Sequence, residues 1–103
     1  MKHVMDLQKM LKTAKEMQER LQQELAVLRV DGSSGGGMVT VILDGHKALQ
    51  SIRIEPEVVN KDEVEMLQDL IIAAFNDGAA KVDEALAAKL GGLGAGLKIP
   101  GLG

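Results

Sequence analysis

The chain has 103 residues, of which 46% are apolar but only one, Phe75, is aromatic, and its formal net charge is −3. This length fits one domain with a thin aliphatic core, so self-association would supply additional burial. The mildly acidic balance argues against a uniformly basic nucleic-acid binder, and the lack of cysteine excludes disulfides, thiol chemistry and cysteine-based zinc sites.

The first 28 residues predict a long amphipathic helix. Apolar residues recur there at alternating spacings of three and four, broken only by Gln18, which is typical of a helix packed lengthwise against another. The members of this seam are Val4, Leu7, Leu11, Ala14, Leu21, Leu25 and Leu28. A membrane-surface helix is the alternative, but the stripe is narrow, lacks Trp and Phe, and continues beyond the basic part. We therefore expect this helix to need a helical partner.

The first half of this helix carries a basic ridge. Residues 1–15 contain four lysines, Lys2, Lys9, Lys12 and Lys15, against the single acid Asp6. Lysines near a helix N-terminus oppose the helix macrodipole, so helix stability does not explain them. Two interpretations stay open at this point: an ordinary solvated face, or a ridge that binds anions.

A three-stranded meander is predicted after Leu28, where the apolar period changes to two. The predicted parts are a short strand over 29–31, a flexible turn over 32–37, a strand over 38–43, a tight Asp44-Gly45 hairpin turn and a third strand ending before Pro56. The glycine run lacks the Lys-Ser/Thr ending of a phosphate loop, so we interpret it as a turn. Both faces of the second strand are largely apolar, so we expect helices on one face and a second subunit on the other.

A second helix is predicted from Asn60 to about Leu90, because Asn60 and Glu63 have capping-box spacing. Its segment 66–75 is apolar almost all round, so we expect it to be buried on several sides. The sequence leaves open whether Gly78 lets a neighbouring backbone approach or is simply tolerated. Residues 91–103 are glycine-rich without periodicity and predict a flexible tail, which makes 1–90 the single domain.

These elements predict an α+β fold in which two long antiparallel helices flank a three-stranded antiparallel β-meander. A helix of about 24 residues is roughly 35 Å long, whereas strands of about six to eight residues span about 20–25 Å. The helices must therefore overhang the sheet. In a symmetric homodimer the overhangs form two projecting arms, with lysines at their tips that could straddle a polyanion.

Catalysis and cofactors are not predicted. His3 and His46 are the two histidines, the first near the terminus and the second in a predicted turn, and no cluster has metal-ligand spacing. We expect no enzyme activity, cofactor, metal or small-molecule substrate. There is no uninterrupted apolar run of the signal-peptide type and no stretch long enough to cross a bilayer, so we expect a cytoplasmic protein without a membrane partner.

Four segments resemble the YbaB/EbfC family of bacterial nucleoid-associated proteins. They are DGSSGGGMVTVILDG, IEPEVV, EMLQDLIIAAFNDG and GGLGAGLKIPGLG, and the N-terminal helix is similar as well. The resemblance implies a cytoplasmic, nucleoid-associated homodimer shaped like tweezers that binds duplex DNA with limited sequence preference. This chain departs from the family at Ala80 and Lys81, where many relatives carry a basic pair.

The residues expected to contact DNA phosphates are Lys2, Lys9, Lys12, Lys15, Lys81 and Lys89. The residues expected at the dimer interface are Met38, Val39, Val41, Leu43, Ile52, Leu70, Ile71 and Phe75. Binding through phosphates predicts steep salt dependence and little base readout. With Phe75 as the single aromatic residue, base stacking on single strands is not expected, which favours duplex DNA. The alternative is a dimeric protein-interaction module whose arms clasp a partner protein.

Overall fold

The computed structural model describes the backbone of residues 2–94 and the side chains of residues 6–91. In chain order the elements are α1 (Lys2–Val27), β1 (Val30–Ser34), β2 (Val39–Leu43), β3 (Leu49–Ile54), a 3-10 turn (Pro56–Val58) and α2 (Val64–Gly94). The predicted α+β order is confirmed. Most of the predicted tail, residues 95–103, lies outside the described residues.

The three strands form one antiparallel sheet in the order β1-β2-β3, so the predicted meander is confirmed. Its first hairpin differs from the prediction, because Gly32, Ser33 and Ser34 pair with β2 and belong to β1. The turn is therefore confined to residues 35–38, and its three glycines all have positive φ. Glycine and serine are poor strand formers, and here the cross-strand pairing overrides their local preference.

The core lies between one face of the sheet and α2, which packs across β1 and β2. Val39, Val41 and Leu43 point to this face and are 0–1% exposed, and they pack with Ala74 and Val82 of α2. Alternate residues of a strand face opposite sides, so one set of β2 side chains is fully used within the subunit.

The helix crosses the sheet at a glycine pair, Gly32 on β1 and Gly78 on α2. A Cβ atom added to Gly32 would lie 2.4 Å from both the Ala74 carbonyl oxygen and the Gly78 nitrogen. The two backbones therefore touch directly. Of the two interpretations of Gly78, the structure shows the close approach of a neighbouring backbone.

The boundaries of α2 differ from the predicted ones. The Asn60 side-chain oxygen accepts the Asp62 N–H at 2.9 Å and its carbonyl accepts the Glu63 N–H at 2.9 Å, so Asn60 closes a turn and the helix starts at Val64. The helix also continues to Gly94, four residues beyond the predicted Leu90. Burial on several sides was wrong for the outer face, because Ile72 is 58% exposed.

Helix α1 is held in a different way. It takes no part in the extensive packing between elements of the described chain. The predicted seam residues Leu7, Leu11 and Leu21 are 44–63% exposed, and Met10 and Met17 beside them are 63–66% exposed. These five residues form the apolar stripe of α1. The predicted stripe is therefore present, but a single subunit leaves it uncovered.

Candidate nucleic-acid interface

The two helices lie side by side, run antiparallel and extend past the sheet. Glu24 of α1 and Lys89 of α2 lie 3.7 Å apart, and Leu90 lines a cleft of about 600 Å³ with Ala14, Met17 and Leu21. The Cα radius of gyration is 20.1 Å, whereas a compact chain of this length has about 13 Å. The subunit is therefore elongated, as the predicted overhang requires.

The basic ridge lies on the projecting part of α1. Lys9, Lys12 and Lys15 are all exposed. At 100° per residue, Lys9 and Lys12 lie on the side of the helix away from the apolar stripe, and Lys15 lies at its edge next to Leu11. Between residues 6 and 91, the three ion pairs of the structure involve other lysines. The ammonium groups of this ridge are thus available to an external anion.

Lys81 and Lys89 of α2 differ from the ridge because each faces a carboxylate. Lys81 Nζ lies 3.0 Å from an oxygen of Asp77, one helical turn away. The same Asp77 oxygen accepts the Ser33 N–H at 2.9 Å, and this bond, followed by Lys81, lowers the pKa of Asp77. Both lysines carry locally compensated charge, and the side chain of Lys2 lies outside those described.

The residues predicted for a dimer interface fall into three groups. Val39, Val41 and Leu43 belong to the subunit's own core, which corrects their assignment to an intersubunit surface, because α2 already covers them. Leu70, Ile71 and Phe75 are partly buried on α2 against that core. Met38 and Ile52 remain 38% and 41% exposed and are accessible to another chain.

The β2–β3 loop, residues 44–48, makes more contacts than the Asp44-Gly45 turn predicted from the sequence would require. Asp44 is buried, and its carboxylate accepts N–H groups from His46 at 2.8 Å and Ala48 at 3.0 Å and the Gln50 side-chain amide at 3.2 Å. The hydrogen bond from Ala48, with a smaller effect from His46, lowers the pKa of Asp44. The loop is therefore longer than the predicted Asp44-Gly45 turn and is held by its own aspartate.

This loop contacts both helices. The Gly45 N–H donates to the Leu25 carbonyl of α1 at 2.8 Å, and Lys47 Nζ lies 2.9 Å from Asp83 of α2. Lys47 has φ +65°, and it is the one non-glycine residue of the described chain with positive φ. An Asp-Gly pair after a strand indicates a turn held by the side chain, but no local pattern indicates the pair with Asp83, 36 positions away.

No group of three or more metal-ligating side chains occurs in the part of the chain that the structure describes. Neither described helix has an apolar run that would span a bilayer. His46, in the β2–β3 loop, is exposed.

Several known proteins are similar to this chain. Residues 1–97 match the model of the YbaB/EbfC DNA-binding family. A nucleoid-associated protein from Brucella melitensis biotype 2 is 49% identical over 98 residues, which cover 92% of each chain, and one from Brucella ovis is 48% identical with the same coverage. The crystal structure of an uncharacterized protein, HP0035, from Helicobacter pylori has a TM-score of 0.70 and 25% identity, covering 84% of this chain and 91% of that one.

Proposed function

The chain belongs to the YbaB/EbfC DNA-binding family, and from this premise we propose that it binds duplex DNA as a homodimer through lysine–phosphate contacts of its projecting arms. The observation that carries the proposal is the ridge of Lys9, Lys12 and Lys15 on the overhanging half of α1. Such a protein acts at the nucleoid in the bacterial cytoplasm and influences nucleoid organisation and gene expression.

Phosphate contact is the readout that these side chains support. Lysine offers a flexible point charge, which suits phosphate oxygens and carries little base information. Three lysines on each of two arms neutralise up to about six phosphates, for which the counterion-release slope gives a loss of affinity of about 10³-fold between 50 and 200 mM salt. The binding mode is therefore duplex-directed, weakly sequence-specific and steeply salt-dependent.

The homodimer is supported by apolar surface that one subunit leaves in contact with water. The α1 stripe is exposed along its length, and Met38 and Ile52 add exposed apolar area at the sheet. Stable association removes such surface from water. Sedimentation equilibrium should give the mass of two chains, and Met38→Glu with Ile52→Glu should lower it towards one. Val59→Glu, at another exposed apolar position, should leave the dimer mass unchanged.

The experiment that tests DNA binding is a fluorescence-anisotropy titration of a short labelled duplex at about 50 and 200 mM salt. The double variant Lys9→Glu/Lys12→Glu should abolish binding while sedimentation still reports a dimer. Lys12→Glu should weaken binding and reduce the salt slope, whereas Lys61→Glu, which makes the same charge change before α2, should have little effect. Equal losses for Lys12→Glu and Lys61→Glu would show that only net charge matters and would refute the ridge as the binding surface.

The second candidate is a dimeric module whose arms clasp a partner protein, and the exposed stripe of Leu7, Leu11 and Leu21 favours it. Under this alternative the lysines only keep the arms soluble. A dimer that fails to bind duplex even at low salt would make this alternative the leading one.

A further inference from the structure

The β2–β3 loop is where α1, which carries the lysine ridge, is attached to α2 of the same subunit. Its Gly45 holds α1 and its Lys47 holds α2, with only one residue, His46, between them. Two further contacts between the helices are the wider pair of Glu24 with Lys89 at 3.7 Å and the cleft around Leu90. The position of α1 relative to α2 therefore depends in part on this short segment.

The contact with α1 is a tight backbone contact. Gly45 is buried, and a Cβ atom added to it would lie 2.7 Å from the Leu25 carbonyl oxygen and 2.8 Å from the Leu25 Cα. These are main-chain atoms, so the helix itself would have to move to make room. Gly45 thus fixes where the last turns of α1 leave the sheet.

The contact with α2 needs an unusual backbone conformation. Lys47 adopts φ +65°, which L-residues with long side chains rarely do. The three hydrogen bonds accepted by Asp44 hold the loop in the form that places the Lys47 ammonium 2.9 Å from Asp83. Asp44, Gly45 and Lys47 thus act together, and we call these three residues the joint between α1 and α2.

We infer that the β2–β3 loop sets the direction in which α1 projects from its subunit, and with it the distance between the two lysine ridges of a dimer. Gly45 and the Lys47–Asp83 pair are then positioning residues for DNA binding. This inference rests on the proposed function. Binding at two arms gains affinity only when the geometry lets both engage the same duplex. Residues that set this geometry change the affinity of the dimer for DNA without contacting the DNA.

The ion pair gives a test in which charge and geometry predict opposite results. Asp83→Asn breaks the pair but makes the protein less negative, so charge alone predicts tighter DNA binding. The joint predicts binding about two- to fivefold weaker, since an exposed ion pair contributes little individually. Glu84→Gln, one position along α2 and outside the three ion pairs of the described chain, makes the same charge change and should not weaken binding. The swap Lys47→Asp/Asp83→Lys keeps the net charge and should restore wild-type affinity.

Gly45→Ala should have the larger effect, because it displaces α1 itself, and we expect affinity to fall about tenfold or more. Gly91→Ala is the matched glycine control, since a Cβ atom there meets nothing within 4 Å. It should leave affinity unchanged.

The position of α1 relative to α2 can be measured without DNA, because the chain has no native cysteine and labels can be placed selectively. Spin labels on cysteines introduced at Gln8 and Ala87, diluted with unlabelled protein, report the distance between α1 and α2 within one subunit. Gly45→Ala should shift or broaden this distribution, with Asp83→Asn giving a smaller change, while thermal unfolding remains cooperative.

Each outcome decides one of the two claims. An unchanged distance in Gly45→Ala, or tighter DNA binding by Asp83→Asn, overturns the joint. A changed distance with unchanged affinity overturns its link to DNA. If the wild-type dimer does not bind duplex at low salt, the proposed function fails, and the distances alone decide whether the loop positions α1.

Discussion

The two helices of this protein are similar in length, 26 and 31 residues, but are held in different ways. Helix α2 buries Ala74 and Val82 against the sheet and meets β1 backbone to backbone at Gly78. Helix α1 leaves Leu7, Leu11 and Leu21 exposed. Its last turns contact the β2–β3 loop, where the Leu25 carbonyl accepts the Gly45 N–H. The fold of the subunit therefore depends on α2, whereas most of α1 stays exposed.

The largest effect is expected where α2 crosses the sheet. Gly32→Ala should destabilise the fold by about 3 kcal/mol or more, because the new methyl group meets backbone atoms of α2 at 2.4 Å. Gly91→Ala, in open space near the end of the same helix, should instead stabilise it by up to about 1 kcal/mol through helix propensity. Thermal unfolding followed by circular dichroism would measure both. Similar melting temperatures for the two variants would contradict the backbone contact.

Truncating one leucine to alanine in each region compares the core with the apolar stripe of α1. Leu43→Ala should lower the free energy of unfolding by about 2–5 kcal/mol, because the Leu43 side chain is fully buried between β2 and α2. Leu11→Ala should lose less than about 1 kcal/mol of subunit stability, because its side chain is already 63% exposed. Urea unfolding, with sedimentation equilibrium run alongside, would separate subunit stability from association. A large loss for Leu11→Ala at low protein concentration would show that α1 is packed within its own subunit.

The smallest effect concerns the loop that joins the two regions. Hydrogen bonding lowers the pKa of Asp44 from 3.8, so the stability it contributes is present above that pH and is lost as pH falls through the folded-state pKa. Near neutral pH the melting temperature of Asp44→Asn should therefore be lower than that of wild type, and this difference should disappear below about pH 4. Melting temperatures between pH 3 and 7 would show this, and parallel curves would mean that the ionised carboxylate does not support the loop.

Local sequence patterns were sufficient for most of the architecture. The period of α1, the change to period two after Leu28 and the apolar run of β2 predicted the element order. Boundaries were less accurate where local chemistry was ambiguous. Gly32–Ser34 resembled a turn but form part of a strand, and Asn60 resembled a helix cap but closes the turn before α2.

The candidate site divides in the same way. The lysine ridge of α1 could be predicted from spacing alone, because a helix fixes which side chains share a face. The pair of Lys81 with Asp77 has i,i+4 spacing and was open to prediction from the sequence. The pair of Lys89 with Glu24 joins two helices, so no local pattern indicates it. The interface prediction for Val39, Val41 and Leu43 was wrong, because an apolar strand face does not reveal whether a helix of the same chain or another subunit covers it.

Patterns along the sequence were enough to predict two long helices, a meander between them, an apolar stripe and a basic ridge, and its motifs indicated the family. The helices and strands follow from their periods, which act over a few residues. Only the packed structure shows that α2 covers one face of the sheet, that Gly32 and Gly78 meet, and that Gly45 contacts α1 while Lys47 contacts α2. Such contacts join residues far apart in the chain, so they depend on how the elements pack and have no local pattern to announce them.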